Sequence, residues 1–327
     1  MSRSALNKLI AGLLLLTSLL VTACKRILLY EAEGGLYLEL RVDQDFLGYQ
    51  PCGLMDDPSF RAKAMGVTPE MVRVFVYDPD THDKVHEDLL PPTGGFINVD
   101  PGVYDIIVYG MGTVKTRLAS ADNRGLLKAY TDIKGTLTVI GVPSSTIIDQ
   151  PDQLYAGSAS LVTVPMHPEI EGIEKVHLDL EPAMQTWTFA AYDITGLERV
   201  TSMECYITGQ APDRFLWDGH FTVNPVALEI SPNMDPEECS VKAVFNTFGK
   251  IPEYSSKVVL NVQVGTSGGK YYNWSYDITD QFNNPDNNCH NIVVDNPVDI
   301  PDDKTDDGGG LDTGVNPWNP HVIDIFI

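Results

Sequence analysis

Apolar and polar residues alternate with a period of two along most of this 327-residue chain. In GLYLELRVD, Gly35 to Asp43, Leu36, Leu38, Leu40 and Val42 fall on one side, and Tyr37, Glu39 and Arg41 on the other. Successive side chains of an extended strand point to opposite faces, so the stretch reads as a strand with one face buried. MVRVFVYD does the same with Val72, Val74 and Val76, and runs into the turn Asp78-Pro79-Asp80-Thr81. After the turn Asp100-Pro101-Gly102, VYDIIVYG turns Tyr104, Ile106 and Val108 inward. GTLTVIG and SASLVTV carry the pattern to Val164.

A second set begins after Pro168. KVHLDLEP aligns Val176, Leu178 and Leu180, and TWTFAAYDI follows with Trp187 and Phe189. MECYITG, FTVNPVALEI and SVKAVFNTFG come next. KVVLNVQV sets Val258, Leu260, Val262 and Val264 on one face. Ser267-Gly268-Gly269-Lys270 then turns the chain into YYNWSYDI, a β-hairpin in which Tyr272, Trp274, Tyr276 and Ile278 share a side. NIVVDNPVDI adds a short strand. Asp57–Met65 and Asp122–Ala129 are the best helical candidates, and both are short. Half-buried antiparallel strands with turn signals between them predict an all-β fold of two tandem sandwich domains, 35–168 and 169–300.

The C-terminal end breaks the rhythm. Residues 301–320 form an acidic Asp/Gly linker, and 321–327, HVIDIFI, close the chain as an apolar strand. Ile323, Ile325 and Ile327 lie on one face, and Val322, Asp324 and Phe326 on the other. Burying three isoleucines is worth roughly 5–9 kcal/mol, at about 1.5–3 each, comparable to the net stability of a domain. Such a strand is expected to pair with an exposed edge through Val322, Ile323, Ile325, Phe326 and Ile327, with Trp318 packing at its entry. The extended tether reaches on the order of 65 Å, far enough for its own sheet or a neighbour's. A chain's own edge is always at high effective concentration, which favours self-completion.

The other end reads as an export signal. Arg3 and Lys8 precede an apolar run, Leu9 to Leu20, too short for a membrane span of roughly 20 residues. Val21-Thr22-Ala23-Cys24 has the form of a bacterial lipobox. Residues 1–23 are thus expected to be removed, Cys24 acylated, and 24–34 to serve as a lipidated linker. Three acyl chains would anchor the protein where one would not. Lys25 rather than Asp follows the cysteine, which favours the outer membrane or cell surface. A net charge of −23 excludes nucleic acid and repels anionic lipid headgroups.

Little in the sequence points to catalysis. His82 and His86 are four apart but lack a third ligand, so no metal is expected. Asp303, Thr305, Asp307 and Gly308 imitate the start of a calcium loop, but Gly314 stands where a bidentate Glu is required. The Asn273-Trp274-Ser275 sequon is expected to be incidental, with Asn273 facing solvent. Trp187, Trp217, Trp274 and Trp318 read as core residues before they read as a sugar platform. Cys52, Cys205, Cys239 and Cys289 allow three pairings, or remain thiols. No cofactor motif is present.

The lipobox, VRVFVYDPDT, DPGVYDIIVYG, ITGLERVTSMECYITGQ, VFNTFGK, KYYNWSYDITDQF and the closing GGGLDTGVNPWNPHVIDIFI follow in an order that resembles Bacteroidales lipoproteins with a domain of unknown function, within the fimbrillin-like set. The resemblance implies tandem transthyretin-like, Greek-key β-sandwiches, export as a lipoprotein, and strand exchange between pilus subunits. It implies a surface-anchored structural or adhesive protein, not an enzyme, meeting the membrane through its lipid and other fimbrillin-like subunits or host and bacterial surface ligands. Arg61 and Arg73 are the candidate processing sites, and neither stands out, which favours an anchor or accessory subunit over a stalk subunit. The competing reading is a glycan-binding outer-membrane lipoprotein of a polysaccharide-uptake system, which needs solvent-exposed Trp or Tyr beside polar residues, with Trp217 and Trp274 the residues whose change would test it.

Overall fold

The computed structural model describes residues 34–42, 53–58, 60, 68–137, 145–166, 173–251, 257–295 and 298–302. In chain order its strands are β1 (Gly35–Val42), β2 (Val72–Tyr77), β3 (Lys84–Leu90), β4 (Gly94–Asn98), β5 (Gly102–Gly110), β6 (Arg117–Ala119), β7 (Lys128–Tyr130), β8 (Ile133–Leu137), β9 (Ser145–Ile148), β10 (Tyr155–Val164) and β11 (Glu174–Pro182). They continue with β12 (Gln185–Ala191), β13 (Ile194–Thr195), β14 (Val200–Gln210), β15 (Asp213–Phe215), β16 (Val226–Ile230), β17 (Asn233–Asp235), β18 (Ser240–Thr247), β19 (Val259–Thr266), β20 (Tyr271–Asp277), β21 (Asn291–Val294) and β22 (Val298–Asp299). A short helix, α1, spans Thr279–Asn283. The fold is an all-β sandwich fold.

The first sheet has seven strands in the order β3-β2-β5-β10-β11-β1-β4. Its end strands β3 and β4 are joined through Pro91, Pro92 and Thr93. So short a link forces the sheet to curl until its ends meet. The Leu40 N–H donates to the Thr93 carbonyl at 3.1 Å, which continues the β1–β4 ladder into this link. The inside of the curl holds Leu36, Leu38, Val72, Val74, Val76 and Ile106, the residues the alternation placed inward.

The second sandwich packs a six-stranded sheet, β20-β19-β14-β16-β9-β8, on a four-stranded one, β17-β18-β12-β21. Its core gathers Trp187, Phe189, Phe245, Leu260, Val262 and Trp274. The Trp187 ring stacks on Phe282 at 4.1 Å and on His290 at 4.6 Å. Desolvation holds His290 below the usual histidine pKa. The β19–β20 hairpin has the predicted facing, with Leu260 opposite Tyr276, Val262 opposite Trp274 and Val264 opposite Tyr272.

The two sheets exchange strands across the 168/169 junction. β11, C-terminal to it, pairs in parallel with β1 of the curled sheet. β8 and β9, N-terminal to it, join the second sandwich through the parallel β9–β16 pair. A third apolar cluster lies at the seam and includes Phe75, Tyr77, Ile107, Tyr109, Leu127 and Phe248. β15, β7 and β6 form a small sheet beside it.

The helical expectation for Asp122–Ala129 is not met. The Leu127 N–H bonds back to the Asn123 carbonyl at 3.0 Å, a single turn. Lys128–Tyr130 then pairs with β6 and β15, and that ladder ends the turn. Of Asp57–Met65, residues 59 and 61–65 lie outside the described residues; a 3-10 turn at Gly53–Asp56 precedes it.

Candidate functional site

The predicted site residues Cys24, Trp318, Val322, Ile323, Ile325, Phe326 and Ile327 lie outside the described residues. The root of the tail lies inside them. β22 pairs in parallel with β13, and the Ile300 N–H donates to the Thr195 carbonyl at 3.0 Å. Arg199 Nη1 donates to the Ile300 carbonyl at 2.6 Å. Gly196 makes this approach possible: its φ is 82°, and a Cβ there would sit 2.4 Å from the Ile300 oxygen. Ile300 is fully buried, so the chain is fixed up to the point where the tether begins.

A strand can be added only where an edge is open, and the edges differ. β3 carries Lys84, His86, Glu87 and Asp88, charges that discourage pairing with another strand. On β8, Lys134 is bound to Glu229 and Asp149. β17 has three residues. β21 is sealed by side chains: the Gln281 amide bonds the Val293 N–H and C=O, each at 2.8 Å, and the Asn287 amide bonds both backbone groups of Asn291. Sequence reasoning missed these two caps, because a Gln and an Asn in a loop carry no signal until β21 lies beside them.

Among the described residues β20 has none of these protections. Its sequence, YYNWSYD, is uncharged up to Asp277. The hairpin closes with the Thr266 N–H on the Lys270 carbonyl at 2.9 Å, with Gly269 at a φ of 82°. Counting in twos from that pair, Tyr272, Trp274 and Tyr276 aim their backbone groups at β19, and Tyr271, Asn273 and Ser275 aim theirs outward. No described residue hydrogen-bonds these outward groups. At the strand's end, Lys257 Nζ lies 2.8 Å from Asp277, and this contact, with Thr279, lowers the Asp277 pKa to about 2.

The open edge and the root of the tail share one cleft. Trp274 and Tyr276 line it from β20, Val298 and Ile300 from the root, and Phe189 and Ile194 from behind. It holds about 20 Å³, a gap between the sheets rather than a pocket for a small molecule.

The remaining candidates fall elsewhere. Asn273 is 3% exposed, not solvent-facing, and neither its amide N nor its O has a hydrogen-bond partner among the described residues. Trp187 and Trp274 are core residues. Trp217, half-buried, stands in the loop after β15 with the Arg124 guanidinium 4.2 Å from its ring. Arg73 lies inside β2, between β3 and β5, and pairs with Glu87 at 3.2 Å, which shields its peptide bonds from a protease. His86 lies 3.8 Å from Asp88. Among the described residues no group of three His, Cys, Asp or Glu is arranged to hold a metal ion. Cys289 is disulfide-bonded to a partner outside the described residues. Cys205 and Cys239 are thiols, and burial pushes the Cys205 thiol up to about 12.

Known proteins share this architecture. Over 200 residues the chain is 24% identical to the "Putative fimbrium anchoring subunit Fim4B" of Bacteroides ovatus, covering 58% of this chain and 55% of that protein. The chain therefore spans about half the length of that relative. The crystal structure of a "putative adhesin" from Bacteroides ovatus superimposes with a TM-score of 0.56 at 20% identity, covering 83% of this chain and 95% of that one. The fimbrial anchor protein Mfa2 from Porphyromonas gingivalis aligns with a TM-score of 0.44 at 12% identity, over 79% and 88% of the two chains. Residues 62–229, just over half of the chain, match the family described as Domain of unknown function (DUF5119), and the chain belongs to that family.

Proposed function

We propose that this protein is a cell-surface structural or adhesive subunit of a fimbrium, an anchor or accessory subunit held to the outer membrane by lipid on Cys24. Its terminal strand, His321–Ile327, adds to the β20 edge. The observation that carries this reading is the cleft shared by the uncapped edge and the root of the tail. Added beside β20, the strand would extend the wall made by Trp274 and Tyr276 with Ile323, Ile325 and Ile327. Because the tether starts at this cleft, the strand meets its own edge at high effective concentration. The likeness to a protein named as a fimbrium anchoring subunit supports the fimbrial role and a surface location. Other fimbrial subunits, and ligands on host or bacterial surfaces, are the partners in this reading, and catalysis has no part in it.

The test compares melting curves, at several protein concentrations, of chains starting after Cys24 with the full tail or ending at Asp307. Losing 5 kcal/mol or more should lower the midpoint by roughly 10 °C or more, independently of concentration. A stable truncated monomer beside an intact chain that associates as concentration rises would instead make the tail a donor to a second molecule. Equal midpoints and no association would remove strand addition altogether.

A further inference from the structure

We propose that the cleft between β11 and the loop after β15 is a binding site for a neutral saccharide. This inference goes beyond strand addition and does not rest on it. The cleft holds about 370 Å³, within the range of roughly 300–1,000 Å³ for small-molecule sites. Asp179 and Glu181 of β11 line one wall, and Arg214, Trp217 and Asp218 the other.

The walls are built before any ligand arrives. Asp213, 4% exposed, anchors the loop by accepting from Lys128 Nζ at 2.5 Å, the Thr222 N–H at 2.9 Å and Thr222 Oγ1 at 2.7 Å. The loop closes on itself through the Phe215 N–H to the His220 carbonyl at 2.9 Å and the Gly219 N–H to the Phe215 carbonyl at 3.0 Å. Trp217 is backed by Arg124, which in turn pairs with the buried Asp105 of β5. On the opposite side Gly157 lets β10 approach β11: a Cβ there would lie 2.7 Å from the Asp179 carbonyl oxygen.

The lining selects the ligand by elimination. Arg214 gives one hydrogen bond, from Nη1 to the Ala183 carbonyl at 3.0 Å, and has no carboxylate partner among the described residues. An anionic ligand would find this guanidinium but also three carboxylates, on a chain of net charge −23. A cation would be drawn by the three carboxylates but would offer the Arg214 guanidinium, which only donates, no acceptor. A purely apolar ligand would strip water from all four charges without replacing it. Neighbouring hydroxyl groups both donate and accept. They match carboxylate acceptors on one wall and a planar donor fork on the other, and the C–H face of a sugar ring matches the Trp217 indole.

The test applies the full chain to an array of neutral and uronic-acid-bearing oligosaccharides. The neutral oligosaccharide it retains is then titrated calorimetrically into the parent protein, Asp179→Ala and Arg214→Gln. Asp179 is exposed on β11, so its truncation leaves the fold in place even if Arg214→Gln does not fold. We expect a neutral oligosaccharide to bind, and affinity to fall at least tenfold in Asp179→Ala and in Arg214→Gln if it folds. The proposal is overturned if no neutral oligosaccharide is retained, if only acidic ones are, or if Asp179→Ala keeps the parent affinity.

Discussion

β2 and β5 are each buried on both faces, and the two faces are built differently. Inward, Val72, Val74, Val76, Ile106 and Val108 fill the curled sheet with aliphatic side chains. On the other face, Phe75, Tyr77, Ile107 and Tyr109 meet the second sandwich across the seam. The first face needs no polar group. The second is mostly aromatic and keeps polar handles: Tyr77 Oη donates to the Ala121 carbonyl at 2.9 Å, and Arg124 pairs with Asp105 behind it. An aliphatic core excludes water uniformly, whereas a seam between two sandwiches must also bury the ends of loops, whose backbone groups need partners.

The largest effect should come from the ion pair at the seam. Arg124→Met leaves the Asp105 carboxylate, 1% exposed, with only the Leu161 N–H as a described partner. Breaking one side of a buried pair costs about 3–5 kcal/mol, and the stack on Trp217 is lost as well, so the upper end of that range is expected in a denaturant titration. A loss under 1 kcal/mol would show that the seam tolerates an unpaired charge and would undo the contrast. Phe75→Ala comes next, at about 3–4 kcal/mol. Because Phe75 bridges the sandwiches, its loss should also split a single unfolding transition into two. Val74→Ala, on the opposite face of the same strand, should cost about 2 kcal/mol and leave one transition. If both variants behaved alike, the seam would be no different from the core.

The smallest change sharpens the comparison through pH. Burial raises the pKa of Tyr77, and also that of Tyr109. A phenol whose folded pKa lies above its unfolded value of about 10 contributes fully below that value, and the contribution is lost as pH rises through the folded pKa. Tyr77→Phe should therefore cost about 1 kcal/mol at neutral pH, for the lost hydrogen bond, and flatten the fall in stability above about pH 10. Val74→Ala should shift that curve without changing its slope. An unchanged alkaline slope in Tyr77→Phe would remove the seam tyrosine as its cause.

Where one face of a strand is aliphatic and the other polar, the pattern could be read directly, as for Leu36, Leu38 and Leu40. Phe75 and Tyr109 share a face with Arg73 and Glu87, so nothing local marks them as buried. Asn273 misled for the same reason, since its neighbours in sequence resemble a solvated face. Of the candidate site, the apolar tail and its tether are expectations read from residues 301–327 alone, and beyond Asp302 they lie outside the described residues. β20 was legible as a strand, but not the fact that no described residue caps its outer edge, because that depends on which loops the fold brings beside it.

By itself, the sequence determined that the chain is β-rich, where its main turns and the β19–β20 hairpin fall, and which aliphatic residues fill the cores. These follow from side-chain alternation and turn chemistry, which act over a few residues. Only the tertiary structure decided that β11 joins the first sheet while β8 and β9 join the second, that Arg214 and Asp179 line one cleft, and that the root of the tail borders β20. Strand pairing and the meeting of distant side chains are set by packing between segments far apart in the chain, and period-two alternation is the same whichever neighbour a strand takes.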